Sequence, residues 1–129
     1  MSDLPNVKSA KADGDATTGV GVRQVKSIYK LDKLRITHTQ LDPHQEIPWH
    51  RHSNVSDTFY AVKGPITIEV AGLEVNVVLL TGESNQVAPG LAHRVFNGGD
   101  AMVEFLLIQG VGDYDFELLH GRATGEALS

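Results

Sequence analysis

Ten short runs rich in β-branched and aromatic residues follow one another along most of the chain, and they constrain the fold more than any other feature. Glycine, proline, asparagine and aspartate separate these runs, as turn residues separate strands. No window has the periodicity of an amphipathic helix. Short strands without intervening helices predict an all-β sandwich or barrel. The predicted strands are 23–29, 33–41, 46–49, 58–63, 66–71, 73–80, 85–88, 93–96, 102–109 and 114–119.

Two turns and one alternation add local detail to this pattern. Ala71-Gly72 predicts a tight hairpin turn, and Gly98-Gly99-Asp100 predicts another. Leu34, Ile36 and His38 alternate with an arginine and two threonines, as expected for a strand with one buried face. On this pattern we expect His38 to be a polar residue at a pocket wall.

Length and composition limit the organisation and the partners. With 129 residues the chain is long enough for one core, so we expect a loose arm over 1–21, one barrel domain over 22–120 and a tail over 121–129. A net charge of -5 without a run of lysine and arginine argues against nucleic acid and anionic membranes. The absence of cysteine excludes disulfides and thiolate sites. No signal peptide or membrane span is evident, and we expect a cytoplasmic protein.

Four residues have the spacing and chemistry of metal ligands. His50 and His52 are two apart, so on a strand both imidazoles point to the same face. Asp57 lies near the start of the next predicted strand and could reach the same point from a neighbouring strand, and His93 could add a third imidazole. Three imidazoles and a carboxylate suit Fe, Ni, Zn, Mn or Cu, and suit Mg or Ca poorly.

The segment around the first two histidines resembles the first motif of the cupin superfamily, G-x5-H-x-H-x3-4-E-x6-G. His50, His52 and Gly64 stand at the motif's positions. His44 replaces the leading glycine of the motif, and Asp57 replaces its glutamate. Because aspartate is shorter than glutamate, Asp57 is either a metal ligand or a residue that orients one of the histidines.

A second segment resembles the other cupin motif, G-x5-P-x-G-x2-H-x3-N. Gly82, Gly90, His93 and Asn97 fall at its positions, and Pro89 lies one place from the motif's proline. The resemblance implies a double-stranded β-helix, which is a jelly-roll barrel of two antiparallel sheets. It also implies a divalent transition metal on His50, His52, Asp57 and His93, a small-molecule ligand or substrate, and a homodimer.

The fold does not determine the reaction, and two classes of function stay open. The first is a metal-dependent enzyme that acts on a small organic molecule. Within it, dioxygenase-like chemistry is favoured over isomerisation, because no general base is evident beyond His38 and Glu104, and we assign no catalytic residue. The second is a non-catalytic, metal-containing barrel that binds a small ligand or acts as a sensor.

The remaining motif residues have simpler interpretations. His44 is expected in a solvated loop, and His120 lies in the tail. We expect Asn97 to bond to the backbone of a turn. Turn positions with positive φ are predicted for Gly64, Gly82 and Gly90. Barrel lining or core is predicted for Phe59, Phe96, Phe105 and Leu107.

Overall fold

A computed structural model describes residues 21–119, which form ten β-strands and no helix. Each strand falls on one of the ten predicted runs, although β6 and β10 are much shorter than predicted. The predicted arm (apart from Gly21), the tail and His120 lie outside the described residues. The strands are β1 (Gln24–Lys30), β2 (Leu34–Leu41), β3 (Glu46–Arg51), β4 (Ser56–Lys63), β5 (Ile66–Val70), β6 (Val77–Leu79), β7 (Ser84–Val87), β8 (His93–Phe96), β9 (Val103–Gly110) and β10 (Glu117–Leu118).

The strands form two five-stranded sheets in which all paired neighbours are antiparallel. The first sheet has the order β1-β2-β9-β4-β7, and the second has the order β10-β3-β8-β5-β6. The chain crosses repeatedly from one sheet to the other, and this confirms the predicted double-stranded β-helix. Over residues 21–119 there is no helix long and apolar enough to cross a membrane.

The inner face of the first sheet changes from apolar to polar along its strands. Directly paired residues of neighbouring strands share a face, so side chains line up in rows across β2, β9 and β4. The rows are Thr39–Phe105–Ala61, Thr37–Leu107–Phe59 and Arg35–Gln109–Asp57. Phe59, Phe105 and Ala61 belong to the apolar core. The third row places three polar side chains at the other end of the interior.

The strand β2 has its polar face inward, which corrects the expectation for His38. Arg35, Thr37 and Thr39 line an internal cavity, whereas Leu34, Ile36 and His38 do not contribute to its wall. His38 Nε2 instead lies 3.1 Å from Glu104 Oε1 on the outer face. Alternation shows that the two faces of a strand differ in polarity, but it does not show which face points inward. In β2 the inward face borders a cavity whose wall is partly polar.

Both predicted turns exist, but neither is a tight hairpin. The amide of Leu73 bonds to Val70 O at 3.1 Å around Gly72, and pairing of β5 with β6 resumes only at Val77. The turn at residues 98–100 joins β8 to β9, which belong to opposite sheets. A glycine-rich turn reverses the chain in either case, and only long-range pairing decides whether the next strand returns to the same sheet.

The backbone explains the departure from the first motif at His44 and the roles of three motif glycines. His44 has a φ of 69°, in the left-handed region that a glycine enters without strain. Gly82 and Gly90 have φ values of 90° and 85°, as predicted. Gly64 is not among the positive-φ residues, so that prediction is wrong for it. Its role is close approach, since a Cβ there would lie 2.5 Å from Leu79 O.

Asn97 ties together three segments at the apolar end of the barrel. Its side chain is buried, and Nδ2 donates to Leu41 O at 3.0 Å and to Ala101 O at 2.8 Å. Its Oδ1 accepts from the Gly99 amide at 2.9 Å. These bonds confirm the predicted backbone-bonding role, because one amide satisfies two carbonyls and one N–H group that cannot all reach water.

Replacing Asn97 with alanine should lower the free energy of unfolding by about 2–4 kcal/mol, because the carbonyl of the buried Leu41 and two backbone groups of the turn lose a side-chain partner. Urea denaturation of the Asn97→Ala protein measures this loss. The control is Asn54→Ala, whose side chain is exposed in a loop and whose loss should cost within about 0.5 kcal/mol. Equal stability of the two variants would contradict the role assigned to Asn97.

Candidate metal centre

The four predicted ligands converge on one point in the interior. Their nearest ligand atoms all lie within 4.8 Å of one another, and each side chain is at most 3% exposed. His50 lies in β3 directly opposite His93 at the start of β8, and His52 follows just after β3. A β-bulge between Ile47 and His50 interrupts the pairing of β3 with β8. Bulges of this kind redirect the side chains that follow them.

Asp57 reaches the histidines from the opposite sheet, not from a neighbouring strand as the sequence suggested. Its strand β4 pairs with β7 and β9, whereas β3 and β8 belong to the second sheet. Facing sheets lie about 10 Å apart, so side chains from both sheets can meet in the middle. The site therefore links the two sheets across the barrel.

Backbone carbonyls fix the orientation of all three imidazoles. Nδ1 of His50 lies 2.7 Å from Pro48 O, and Nδ1 of His93 lies 2.8 Å from Leu91 O. The third ring, His52, bonds through Nδ1 to the carbonyl of Asp115. A carbonyl can only accept a hydrogen bond, so each Nδ1 carries the proton. Each Nε2 is then left to face the centre of the cluster.

The converging atoms require a cation between them. Asp57 Oδ2 lies 2.8 Å from His93 Nε2, 3.1 Å from His52 Nε2 and 3.8 Å from His50 Nε2. Three ring lone pairs and a carboxylate would repel one another in a buried space unless a proton or a metal ion lies among them. Neutral imidazoles anchored through Nδ1 and aided by a carboxylate are the donor set that divalent transition metals use. These four side chains could hold a metal ion.

The electrostatics of the metal-free cluster agree with this picture. Burial lowers the pKa of His50 to about 4, and the attraction of Asp57 offsets burial only in part. Burial also disfavours charge on His52, but the hydrogen bond and negative charge of Asp57 prevail and raise the pKa of that ring. Burial alone would raise the pKa of Asp57, yet the neighbouring imidazoles hold it well below the ordinary value. Of His50 and His52, it is therefore His52 that more readily carries a proton in the metal-free protein.

Gln109 supports Asp57, although no sequence motif selects it. Its Nε2 donates to Asp57 Oδ1 at 3.0 Å, and its side chain is buried. The pairing of β9 with β4 sets Gln109 directly opposite Asp57. The one signal in the sequence is an amide side chain that directly follows the mostly apolar run 103–108. Whether that side chain meets Asp57 depends on the register between β9 and β4, which the sequence does not reveal. The bond fixes the carboxylate that faces the histidines.

Three residues of the cluster, His50, His52 and Asp57, line a cavity of about 440 Å³. Phe116 stacks on His50 with ring centroids 4.6 Å apart, and Tyr114 lies 5.4 Å from His52. Residues 113–116 were predicted in part as strand, but the structure has no strand there. Asp115 anchors them by accepting bonds from the backbone amide and hydroxyl of Ser53, both at 2.7 Å. This segment therefore closes one side of the cavity.

The other singled-out residues divide between core and surface. Phe59 and Leu107 line the cavity and Phe105 lies in the core, as predicted. Phe96 does not line the cavity, and the guanidinium of Arg94 lies 4.0 Å from its ring centroid. Glu104 also lies outside the cavity wall. The cavity is lined by Val22, Val25, Arg35, Thr37, Thr39, Glu46, Ile47, Pro48, His50, His52, Asp57, Phe59, Leu107, Gln109, Tyr114 and Phe116.

Comparison with known proteins identifies the family. The family model described as Cupin domain matches residues 37–109, which is more than half of the chain. The chain therefore belongs to the cupin family. No curated protein matches it.

Solved structures with similar folds include three from different organisms. An uncharacterized conserved protein with a double-stranded β-helix domain from Klebsiella pneumoniae has a TM-score of 0.67 and 21% identity, and the match covers 74% of this chain and 83% of that one. The Cnp3 cupin domain of Schizosaccharomyces pombe has a TM-score of 0.62 and 15% identity, covering 68% and 64%. A predicted oxalate decarboxylase from Thermotoga maritima has a TM-score of 0.59 and 21% identity, covering 68% and 81%. These likenesses show the fold alone.

Metal affinity should decrease as the pH is lowered, because a proton on His52 competes with the ion. The raised pKa of His52 means that the metal-free ring is protonated below about pH 6.5, and each bound ion must displace that proton. The apparent affinity for Zn²⁺ should therefore drop at least about tenfold per pH unit between about pH 6.5 and 5. Competition with a chelating dye measures it. An affinity that stays constant over this range would contradict the assignment.

Proposed function

Starting from membership of the cupin family, we propose that the chain binds one divalent transition metal ion, with Fe, Ni, Zn and Mn as the candidates, at His50, His52, Asp57 and His93. We propose further that it is an oxidoreductase of the dioxygenase type that acts on a small organic molecule. The observation that carries the proposal is the anchoring of three imidazoles by backbone carbonyls, with every Nε2 directed at a buried carboxylate. Asp57 is proposed as a ligand, held in place by Gln109.

The cavity supplies what such a reaction needs from the protein. Iron at these four side chains would supply the redox chemistry and Lewis acidity for the oxidation of an organic molecule by O2. The apolar side chains of Val25, Ile47 and Leu107 line the space beside the histidines and restrict water. Phe116 covers the face of His50 and holds this ring in place. A cavity of about 440 Å³ has room for one small organic molecule.

The placement of acids and bases favours oxidation over isomerisation. An isomerase moves protons with a base that contacts its substrate. His38 and Glu104 bond to each other outside the cavity wall. Glu46 does line the cavity, but it accepts a 2.5 Å bond from Arg94 Nε and is held in that ion pair. Among the described lining residues, the carboxylates are Glu46, which is paired with an arginine, and Asp57, which faces the histidines. Neither is available as a general base, so chemistry at the metal is the simpler proposal.

We also propose a homodimer, with β1 as the contact. This strand lies at the edge of the first sheet, where its outer backbone groups have no strand partner within the described residues. Ile28, Tyr29 and Leu31 are each at least 50% exposed at this edge. Pairing of two edges would cover both the backbone groups and these side chains. Light scattering should give about twice the 14.0 kDa chain mass, and a monomer at micromolar concentration would refute this proposal.

The activity is tested by O2 consumption of the iron-loaded protein with a panel of a diketone, a phenol and a thiol. At least one substrate should give turnover, and Asp57→Ala should reduce it by about 100-fold or more because the anionic donor is lost. His38→Ala is the control and should retain activity, since His38 lies outside the cavity wall. Tight binding of zinc or nickel with no turnover on any member of the panel would instead indicate a non-catalytic binding barrel.

A further inference from the structure

One cation in the cavity wall has no anionic partner among residues 21–119. The charged lining residues are Arg35, Glu46 and Asp57. Glu46 is paired with Arg94, and Asp57 faces the histidines. Within the same described range, no carboxylate makes an ion pair with Arg35, whose guanidinium instead lies 3.8 Å from the centroid of the Tyr114 ring. The stacking fixes the position of the guanidinium, and no carboxylate of the described residues compensates its charge.

The guanidinium lies close to the metal centre. In the inner row of the first sheet, Arg35 is paired with Gln109, and Gln109 is paired with Asp57. Strands β2 and β4 are thus two strand spacings apart, about 10 Å. The ring of Tyr114 contacts Arg35 on one side and lies 5.4 Å from the ring of His52 on the other. A molecule of a few heavy atoms could therefore touch both Arg35 and the point at which the ligand atoms converge.

The charges of the loaded cavity favour an anion. A divalent ion carries two positive charges, Asp57 neutralises one of them, and Arg35 adds another. Glu46 reduces this excess without removing it: Arg94 pairs with both Glu46 and Glu69, so these three groups together contribute one negative charge and the sum stays positive. Arginine also binds carboxylates through a planar fork of two parallel hydrogen bonds, which sets the direction of the anion as well as its charge.

The walls favour an apolar body on that anion. Besides its charged groups, the cavity is lined by hydrocarbon from Val22, Val25, Ile47, Leu107 and the ring of Phe116. Burying apolar surface against these side chains contributes about 25 cal/mol for each Å² removed from water. A small dianion without hydrocarbon would make no use of these walls.

We infer that the cavity takes a small organic acid whose single carboxylate binds Arg35 and whose apolar body packs between Arg35 and the metal centre. Any reaction of the bound acid rests on the proposed function, whereas its binding to Arg35 does not. Arg35 is here a specificity-determining residue: its fork selects the carboxylate, and Tyr114 fixes the direction of that fork.

Calorimetric titration of zinc-loaded, redox-inert protein tests the inference. The probes are 3-phenylpropionate, 4-methylpentanoate and the neutral analogue 3-phenylpropan-1-ol. Arg35→Gln should weaken binding of either acid about 10- to 100-fold, because a charge-assisted fork is lost, and should leave binding of the alcohol unchanged. Arg35→Lys keeps the charge without the fork and should fall between these values.

The matched control removes the same charge elsewhere. Lys63 is exposed and lies at the other end of β4 from Asp57, roughly 20 Å along the strand. Lys63→Gln should bind both acids as the unmodified protein does. Circular dichroism of each variant establishes that the strands remain, and Arg35→Lys provides a second folded variant should Arg35→Gln unfold.

Separate outcomes overturn the inference and the proposed function. Acid binding that is equal in Arg35→Gln and unmodified protein would overturn the inference, and so would alcohol binding as tight as acid binding. Failure to bind either acid would also overturn it. Absence of bound zinc would instead remove the basis of the proposed function. Titration of chelator-treated protein would then still decide the role of Arg35, because the fork itself contains no metal.

Discussion

Three hydrogen bonds from imidazole Nδ1–H groups to backbone carbonyls set the arrangement on which the site depends. They leave three ring nitrogens and a carboxylate facing one another in a buried position, where a proton or a metal ion among them makes the arrangement favourable. Two of the acceptor carbonyls, those of Pro48 and Leu91, lie two residues before the histidines they orient. The third, of Asp115, comes from a distant segment anchored on Ser53. The barrel therefore supplies both the direction and the separation of the ligands.

The two halves of the interior have different tasks. At one end, Phe59, Phe105 and the bonds of Asn97 stabilise the contact between the sheets. At the other end, the inner face carries a row of polar side chains, Arg35, Gln109 and Asp57, in place of apolar ones. Such groups stay buried only when each has a partner. Asp57 and Gln109 bond to each other, and Asp57 also faces the histidines. Within residues 21–119, Arg35 has no carboxylate partner, which is why we propose it as the ligand-binding member of the row.

The strands and the identities of the four clustered residues were predictable from the sequence, because alternation, turn residues and motif spacing are local signals. What local signals could not provide was the partner of each strand. Asp57 was expected on a neighbouring strand and lies in the opposite sheet, and β2 has the opposite face buried from the one its apolar residues suggested. Gln109 was missed because its meaning comes from its register with Asp57. The closing rings of Tyr114 and Phe116 were missed because irregular backbone carries no period.

The central claim is that these four side chains hold one metal ion, and the metal content of protein purified without a His tag or chelator tests it most directly. After growth in metal-replete medium, elemental analysis should find about one transition metal ion per unmodified chain and nearly none in His93→Ala, which loses one of the three anchored nitrogens. His38→Ala should keep its metal, because His38 lies outside the cavity wall. Equal metal content in the unmodified protein and in His93→Ala, whether both are loaded or both are empty, would contradict the account.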